Sequence, residues 1–231
     1  MSARIAVAMI SRDEAAAVGG VIDAIRAAAP GAEIVLVDSS RDETPAIAEA
    51  RGATVIRQVP PRGYGPAMMA ALHAGAERAE VVVTLDCDGT YPAERIPELA
   101  ALVLDGGWDV VNGTRLAARP EAMPIPNWIA NALFALTTRA AHGLRVTDVH
   151  SGMRAYRASM LRAVDFDEKG PALPVELLIK PARLGYRVLE VPIGYGARIG
   201  ETTLDRFDST VWTFRRILRM LAVGHRVRGR A

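Results

Sequence analysis

The 231-residue sequence predicts an α/β protein: an open, Rossmann-like, mostly parallel central sheet with helices on both faces. Three observations carry this. Apolar runs of strand length alternate with helix-length amphipathic patterns. The fourth run is continuously apolar, as in a strand covered on both faces. Polar clusters follow the runs, at the strand ends where such sheets bind ligands. Half of the residues are hydrophobic (50%), enough for a packed core.

RIAVAMI (4–10) reads as the first strand. Ser11 and Glu14 then stand at the S-x-x-E spacing of a capping box, which opens a helix through Ala29. AEIVLVD (32–38) is a second strand, followed by a helix over 43–51 that ends at Gly52. TVIRQV (54–59) is a third strand, PPRGYG a loop, and 66–79 a helix rich in Ala and Met. VVVTLD (81–86) is the fourth strand, and its unbroken apolar character places it centrally. This order predicts right-handed crossovers. Beyond it, WDVVNGTR (108–115) reads as a strand, and PNWIANALFALTTRAAHG (126–143) as an amphipathic helix closed by Gly143. SGMRAYR (151–157) is a short strand or turn, PVELLIKPARLGY (174–186) a helix containing Pro181, and RVLEVPIGYG (187–196) the last strand. A helix from about Phe207 to Val223 follows.

The single cysteine, Cys87, excludes a disulfide framework and is compatible with a reducing compartment. The N-terminal stretch meets charge too soon for a secretory leader, and no apolar run reaches the roughly 20 residues of a membrane span. The net charge of +2 selects no anionic partner by itself.

LDCDGTYP ends the fourth strand. Its aspartates fit three roles: nucleophile and acid/base of a haloacid-dehalogenase-type phosphatase, a metal and diphosphate site, or the cap of an Asp-Gly turn. In extended chain, Asp86 and Asp88 point together and Cys87 points away. Paired carboxylates repel, and Mg²⁺ or Mn²⁺, which favours carboxylate oxygen and phosphate, relieves the repulsion. A phosphatase carries its motif on the first core strand with further acids downstream; here Asp105 and Asp109 form no such motif. The metal reading is preferred and the others stay open.

Taken together, MISRDEAAAV, VDSSRDET, PRGYGPAMMAAL, LDCDGTYPAE, NGTR, TDVHSGMRAYR and RLGYRVLEVPIGYGARIGETTL resemble the GT-A-fold glycosyltransferases of the family 2 type. Among these the resemblance is to the polyprenyl (dolichyl) phosphate mannose synthases, and it spans nearly the whole chain. Ile10, Asp13, Ser39 and Thr90 depart from the family pattern, standing for proline, asparagine, a second aspartate and a residue near a glutamine ligand.

The resemblance implies an inverting, metal-dependent hexosyltransferase taking a GDP- or UDP-hexose (mannose or glucose) as donor and a polyprenyl phosphate as acceptor. It places Ser11, Glu14, Asp38 and Asp86 in the nucleotide-sugar pocket, with Arg62 and Gly63 at a helix N-terminus suited to phosphate. It gives the metal, Mg²⁺ or Mn²⁺, to Asp86 and Asp88, and the catalytic roles to Asp88, Arg115, Arg154 and Arg198. Asp38 reads equally well as an N-cap of the next helix. Arginine forks suit the phosphate oxygens of acceptor and leaving group, and Arg198 lies in a segment able to close over the donor.

A sugar hydroxyl acceptor needs a general base, whereas a phosphate monoester, with a second pKa of about 6, is already anionic. The Glu-Asp of hydroxyl-acceptor relatives is not evident. Asp148 is either a base or, preferentially, a residue orienting Arg154 or the Ser151–Gly152 turn, and His150 is a local hydrogen-bonding residue. The expected organisation is a domain over 1–206, with a nucleotide-sugar half (1–115) and an acceptor half (116–206). Residues 207–231 form an amphipathic basic helix and tail. There Val211, Phe214, Leu218 and Leu221 share a face, with Arg215, Arg216 and Arg219 between them and Arg226, Arg228 and Arg230 beyond. That helix either lies on an anionic membrane or packs on the domain, and the 126–143 helix likewise contacts lipid or packs. A cytoplasmic enzyme on the inner face of the membrane, with no nucleic-acid partner, is expected. The alternatives are a soluble or glycolipid acceptor, a phosphatase, and a non-catalytic subunit.

Overall fold

The computed structural model describes residues 3–121, 123–200 and 206–224. Seven strands form one sheet: β1 (Ala3–Ser11), β2 (Glu33–Asp38), β3 (Thr54–Arg57), β4 (Ala79–Thr84), β5 (Val110–Thr114), β6 (Arg154–Arg157) and β7 (Val188–Pro192). Their order is β3-β2-β1-β4-β6-β5-β7. All pairings are parallel except those of β6, which runs against β4 and β5. The chain leaves β1 towards β2 and β3, then returns to place β4 on the other side of β1. This reversal opens a crevice at the carboxyl ends of the strands.

The helices are α1 (Ala15–Ala28), α2 (Thr44–Ala50), α3 (Tyr64–Arg78), α4 (Ile96–Leu104), α5 (Ile125–His142), α6 (Ala158–Ala163), α7 (Leu173–Arg183) and α8 (Arg206–Arg219). Alternation along the strands divides the core in two. Val81, Val83 and Val111 face one cluster with Val18, Ile22 and Ile25 of α1 and Ile96, Leu99 and Val103 of α4. Val82, Val110 and Tyr156 face the other, with Met68 and Leu72 of α3, Phe134 of α5, Leu177 of α7 and Ile217 of α8.

Three expectations are corrected. The capping box does not form: Ser11 is still strand, the helix begins at Ala15, and neither side chain caps it. Helix α4 was not anticipated, although Ile96, Leu99, Ala100 and Val103 are buried at i, i+3, i+4, i+7 spacing. Arg216 is not a surface charge. It is 2% exposed and pairs with the fully buried Glu176 of α7, while also donating to the carbonyls of Asp167 and Lys169. Helix α8 therefore presents Thr213, Arg216 and Ile217 inward, and Met220 in the turn after it is buried as well. It is fastened further by Phe214 edge-on to Phe134 at 5.0 Å and by His142 Nε2 against the Ile217 carbonyl at 2.8 Å. Gly143 closes α5 as expected, with φ +68° at its C-cap. Arg226, Arg228 and Arg230 lie outside the described residues.

Candidate active site

The site is built from the loops after β1, β2, β4 and β5, together with the loop before β6 and the segment after β7. Asp38 ends β2 and is fully buried. Its Oδ2 accepts from Ser11 Oγ and Ser40 Oγ, both at 2.5 Å, and its Oδ1 from Ser40 N at 3.1 Å and from Arg57 Nη1. With its oxygens so engaged, Asp38 does not cap α2. It anchors Ser11, Ser40 and Arg57 as the floor of the crevice. Arg57, missed from the sequence, also donates to the Ser40 carbonyl at 2.7 Å. Asp13 takes φ +58°, a conformation that Asp and Asn tolerate best among residues with side chains. Its backbone N–H donates to Ser40 Oγ at 2.7 Å, and Glu14 N donates to Thr44 Oγ1 at 2.9 Å, so the loop carrying Glu14 is held from β2's side.

Strand β4 stops at Thr84, yet the expected alternation continues into the loop. Cys87 is buried against Met9, with sulfurs 3.8 Å apart, while Asp86 and Asp88 turn to the crevice. Burial first, and then the Asp88 charge, push the Asp86 carboxyl up to about 6. Glu14 is also raised, by burial and by Asp88 against the opposing pull of Arg198. A cation beside these carboxylates relieves both costs. Gly152 leaves the room: a Cβ there would stand 2.9 Å from both Asp86 carboxylate oxygens. The hard carboxylate donors and this side-chain-free wall fit Mg²⁺ or Mn²⁺ completed by phosphate oxygens. Among the described residues no cluster of three or more His, Cys, Asp or Glu side chains forms a self-sufficient metal cage. Thr90 supplies no third ligand here, since its N and Oγ1 donate to Asp88 Oδ1 at 3.0 and 2.6 Å.

The arginines divide. Arg198 reaches the pair: its Nη1 lies 3.1 Å from Asp88 Oδ2 and its Nη2 2.7 Å from Glu14 Oε1. Its segment rests on the aspartate loop through Ile199 N to the Asp88 carbonyl (2.9 Å) and Gly196 N to that of Thr90 (2.8 Å). Residues 201–204, the rest of the expected lid, lie outside the described residues. Arg115, at the end of β5, stands close enough to Asp86 to oppose its raised pKa. Its Nε and Nη2 donate to Asp148 Oδ2 and Oδ1 at 2.7 and 2.9 Å, and its guanidinium lies 5.2 Å from the Tyr195 ring centroid.

Arg154 departs from the expectation. It is 1% exposed, and its Nε, Nη1 and Nη2 donate to Asn112 Oδ1, the Pro174 carbonyl and the Val149 carbonyl at 2.6, 2.5 and 2.8 Å. No face of it is left for phosphate, so it is a structural residue. Asp148 accordingly holds Arg115, not Arg154. Arg62 and Gly63 stand exposed ahead of α3, with Gly63 at φ +101°, and no hydrogen bond or ion pair found among the described residues ties the Arg62 side chain to the carboxylates.

His150 is a local residue, as expected. Its Nε2 shares a hydrogen bond with Thr213 Oγ1 at 2.8 Å, and burial lowers its pKa to about 4. The unfolded chain therefore binds a proton between about pH 6.5 and 4 that the folded chain refuses, so stability falls as pH is lowered through that window. Thermal unfolding should show this slope in the native protein and a flatter one in His150→Gln. An identical slope in both would remove His150 as its source.

The family model for glycosyl transferase family 2 matches residues 6–165. The chain belongs to glycosyl transferase family 2. Its relatives include a dolichyl-phosphate hexose transferase of Haloferax volcanii, 45% identical over 204 residues that cover 88% of this chain and 87% of the relative. An undecaprenyl-phosphate mannosyltransferase of Micrococcus luteus is 33% identical over 196 residues, 78% of this chain and 79% of the other. Among solved structures, glucosyl-3-phosphoglycerate synthase of Mycobacterium tuberculosis, in complex with Mn²⁺, UDP and glucosyl-3-phosphoglycerate, aligns with a TM-score of 0.68. It is 25% identical, and the match covers 94% of this chain and 78% of that one. The glycosyltransferase fold and family thus hold, and the phosphatase alternative is set aside: LDCDGT follows the central strand of a family 2 sheet.

Proposed function

We propose that this family 2 glycosyltransferase moves a hexose from a nucleoside-diphosphate sugar to a polyprenyl phosphate, with residues 1–115 binding the donor and 116–206 the acceptor. The observation that carries the acceptor class is the state of Asp148. The carboxylate best placed in the sequence to serve as a base is locked in a bidentate pair with Arg115, which, with further hydrogen bonds, holds it below the usual carboxylate range despite burial. An acceptor phosphate is already ionised and needs no such base. The two lipid-phosphate relatives point the same way.

In this reading the crevice floor around Asp38, Ser11 and Arg57 shapes the nucleoside pocket. Asp86 and Asp88 hold Mg²⁺ or Mn²⁺, which neutralises the diphosphate when bound. Arg115 and Arg198 face the phosphates, and their fixed charges favour the transition state as negative charge grows on the departing diphosphate. The acceptor phosphate oxygen attacks the anomeric carbon opposite the leaving group, so configuration inverts.

A surface for the lipid is at hand. Among the described residues, every large apolar side chain left exposed, apart from Val59 and Ile199, sits on α5 or on α8 and the turn after it. Ile125, Ile129, Leu133 and Leu136 line α5, which carries no acidic residue, with Leu136 63% exposed. Val211, Trp212, Leu218 and Leu221 line the other, with Arg215 and Arg219 exposed among them. No helix in the described residues is long and apolar enough to cross a membrane. Apolar stripes with basic neighbours suit peripheral contact with an anionic leaflet.

The test is incubation with UDP-glucose or GDP-mannose and Mn²⁺, with and without undecaprenyl phosphate. Nucleotide release that requires the lipid is expected. Release with soluble phosphate esters instead would transfer the reading to a soluble acceptor. Co-sedimentation with vesicles containing anionic lipid should fall in Leu133→Glu/Leu136→Glu, and equal binding would remove α5 from the membrane face.

A further inference from the structure

Glu190 lies on β7, one of the two edge strands of the sheet, as the one charge in VLEVP. Nothing in its own strand binds its carboxylate. Oε1 accepts from Thr147 N at 2.8 Å and Thr147 Oγ1 at 2.7 Å. Oε2 accepts from Asn112 Nδ2 at 2.8 Å, Thr147 N at 3.0 Å and Asp148 N at 3.3 Å. All of these donors belong to β5 or to the loop before β6. Asn112 Nδ2 also donates to the Asp148 carbonyl at 2.8 Å, and its Oδ1 is fixed by Arg154. The backbone of Thr147 and Asp148 is thus held from both sides, and the Asp148 carboxylate is aimed at Arg115.

That grip accounts for two of Arg115's side-chain nitrogens, Nε and Nη2, and leaves Nη1 outside it, on a guanidinium whose charge is felt at Asp86. The Arg115 backbone N–H also donates to Asp148 Oδ2 at 3.2 Å, so main chain and side chain are set by one carboxylate. A second tie runs alongside: Thr114 Oγ1 and Thr147 Oγ1 are 2.7 Å apart. The chain of contacts is Glu190, then Thr147 and Asp148, then Arg115.

We propose that Glu190 is a positioning residue for the transfer reaction, acting through Asp148 to fix the orientation in which Arg115 meets phosphate. This rests on the reading of Arg115 as a phosphate-facing cation given above. A group whose only contribution is aim is felt in the transition state, where a misplacement of about 1 Å costs up to about a hundredfold.

The experiment is a double-mutant cycle of Arg115→Ala and Glu190→Gln. It is read in kcat and KM for transfer from UDP-glucose and GDP-mannose to undecaprenyl phosphate with Mn²⁺, in calorimetric affinity for UDP and GDP, and in melting temperature. Glu190→Gln should lower kcat on the order of tenfold to a hundredfold. In the Arg115→Ala background the same change should cost no more than about twofold, because the residue it aims is gone. Full additivity would make Glu190 a structural residue only and overturn the inference while leaving the proposed function in place. Unchanged transfer in Arg115→Ala would overturn the role of Arg115 and the inference with it. A native protein that neither transfers hexose nor binds UDP or GDP would overturn both readings. Should Glu190→Gln fail to fold, Thr147→Val enters the same cycle with the same expected outcomes, since it removes the hydroxyl that Glu190 and Thr114 share.

Discussion

Replacing Asp88 with alanine should lower metal-dependent transfer by at least about a thousandfold while leaving the chain folded. Stabilisation of a phosphate leaving group by a bound cation contributes several kcal/mol, and each 1.36 kcal/mol is tenfold in rate. The loss has two further sources in this structure. Asp88 is the anchor of the Thr90 turn through Oδ1 and the partner of Arg198 through Oδ2. Its removal therefore frees the segment after β7 as well as one metal ligand. Asp86, no longer opposed by a neighbouring carboxylate, should ionise more readily, so weak metal binding can survive in the variant without transfer. Manganese titration by electron paramagnetic resonance, alongside nucleotide release, separates these effects. Retention of more than about a tenth of native turnover would discard the aspartate pair as the metal and diphosphate site.

The largest effect on stability is expected at Glu176. Its carboxylate is buried between Arg216 and Lys180 and also accepts from the Asp167 N–H at 3.0 Å. Glu176→Ala leaves the 2% exposed Arg216 charge with only the Asp167 carboxylate at 3.7 Å and backbone carbonyls. Breaking a buried pair from one side costs about 3–5 kcal/mol, whereas replacing both members with apolar residues of similar volume is often neutral. Urea unfolding should show that loss for Glu176→Ala and a much smaller one for Glu176→Leu/Arg216→Met. A loss under about 1 kcal/mol in the single variant would mean that α8 is held by its apolar contacts alone.

These residues also mark what local pattern conveys. The central place of β4, the alternation that turns Cys87 from its flanking aspartates, and the closing glycine of α5 are all properties of short stretches, and each was legible. The partners of charged residues were not. Arg154, Arg115 and Arg198 look alike in sequence, each near a small residue or turn. Which one meets a carboxylate, which a set of carbonyls and which the aspartate pair depends on the insertion of β6 between β4 and β5, and no run of residues encodes that. Arg216 read as a surface charge because its neutralising carboxylate lies 40 residues away on another helix. Helix α4 is a different kind of miss. Its spacing was present, but nine largely apolar residues between strands give little contrast between two faces.

The reversed direction of β6 has a consequence for how such an enzyme diversifies. In a purely parallel sheet, only segments that leave strands arrive at the ligand-binding edge. Because β6 runs the other way, the segment that enters it arrives there too, carrying Asp148, Ser151 and Gly152 up against Asp86 and Arg115. The crevice floor and the aspartate loop come from chain before residue 90, and this entering loop comes from the other half of the sequence. Under the proposed division into a donor half and an acceptor half, changes in its length or sequence between Gly143 and Met153 would reshape the acceptor side while β1, β2 and β4 keep their registers, so that one donor platform would serve many acceptors.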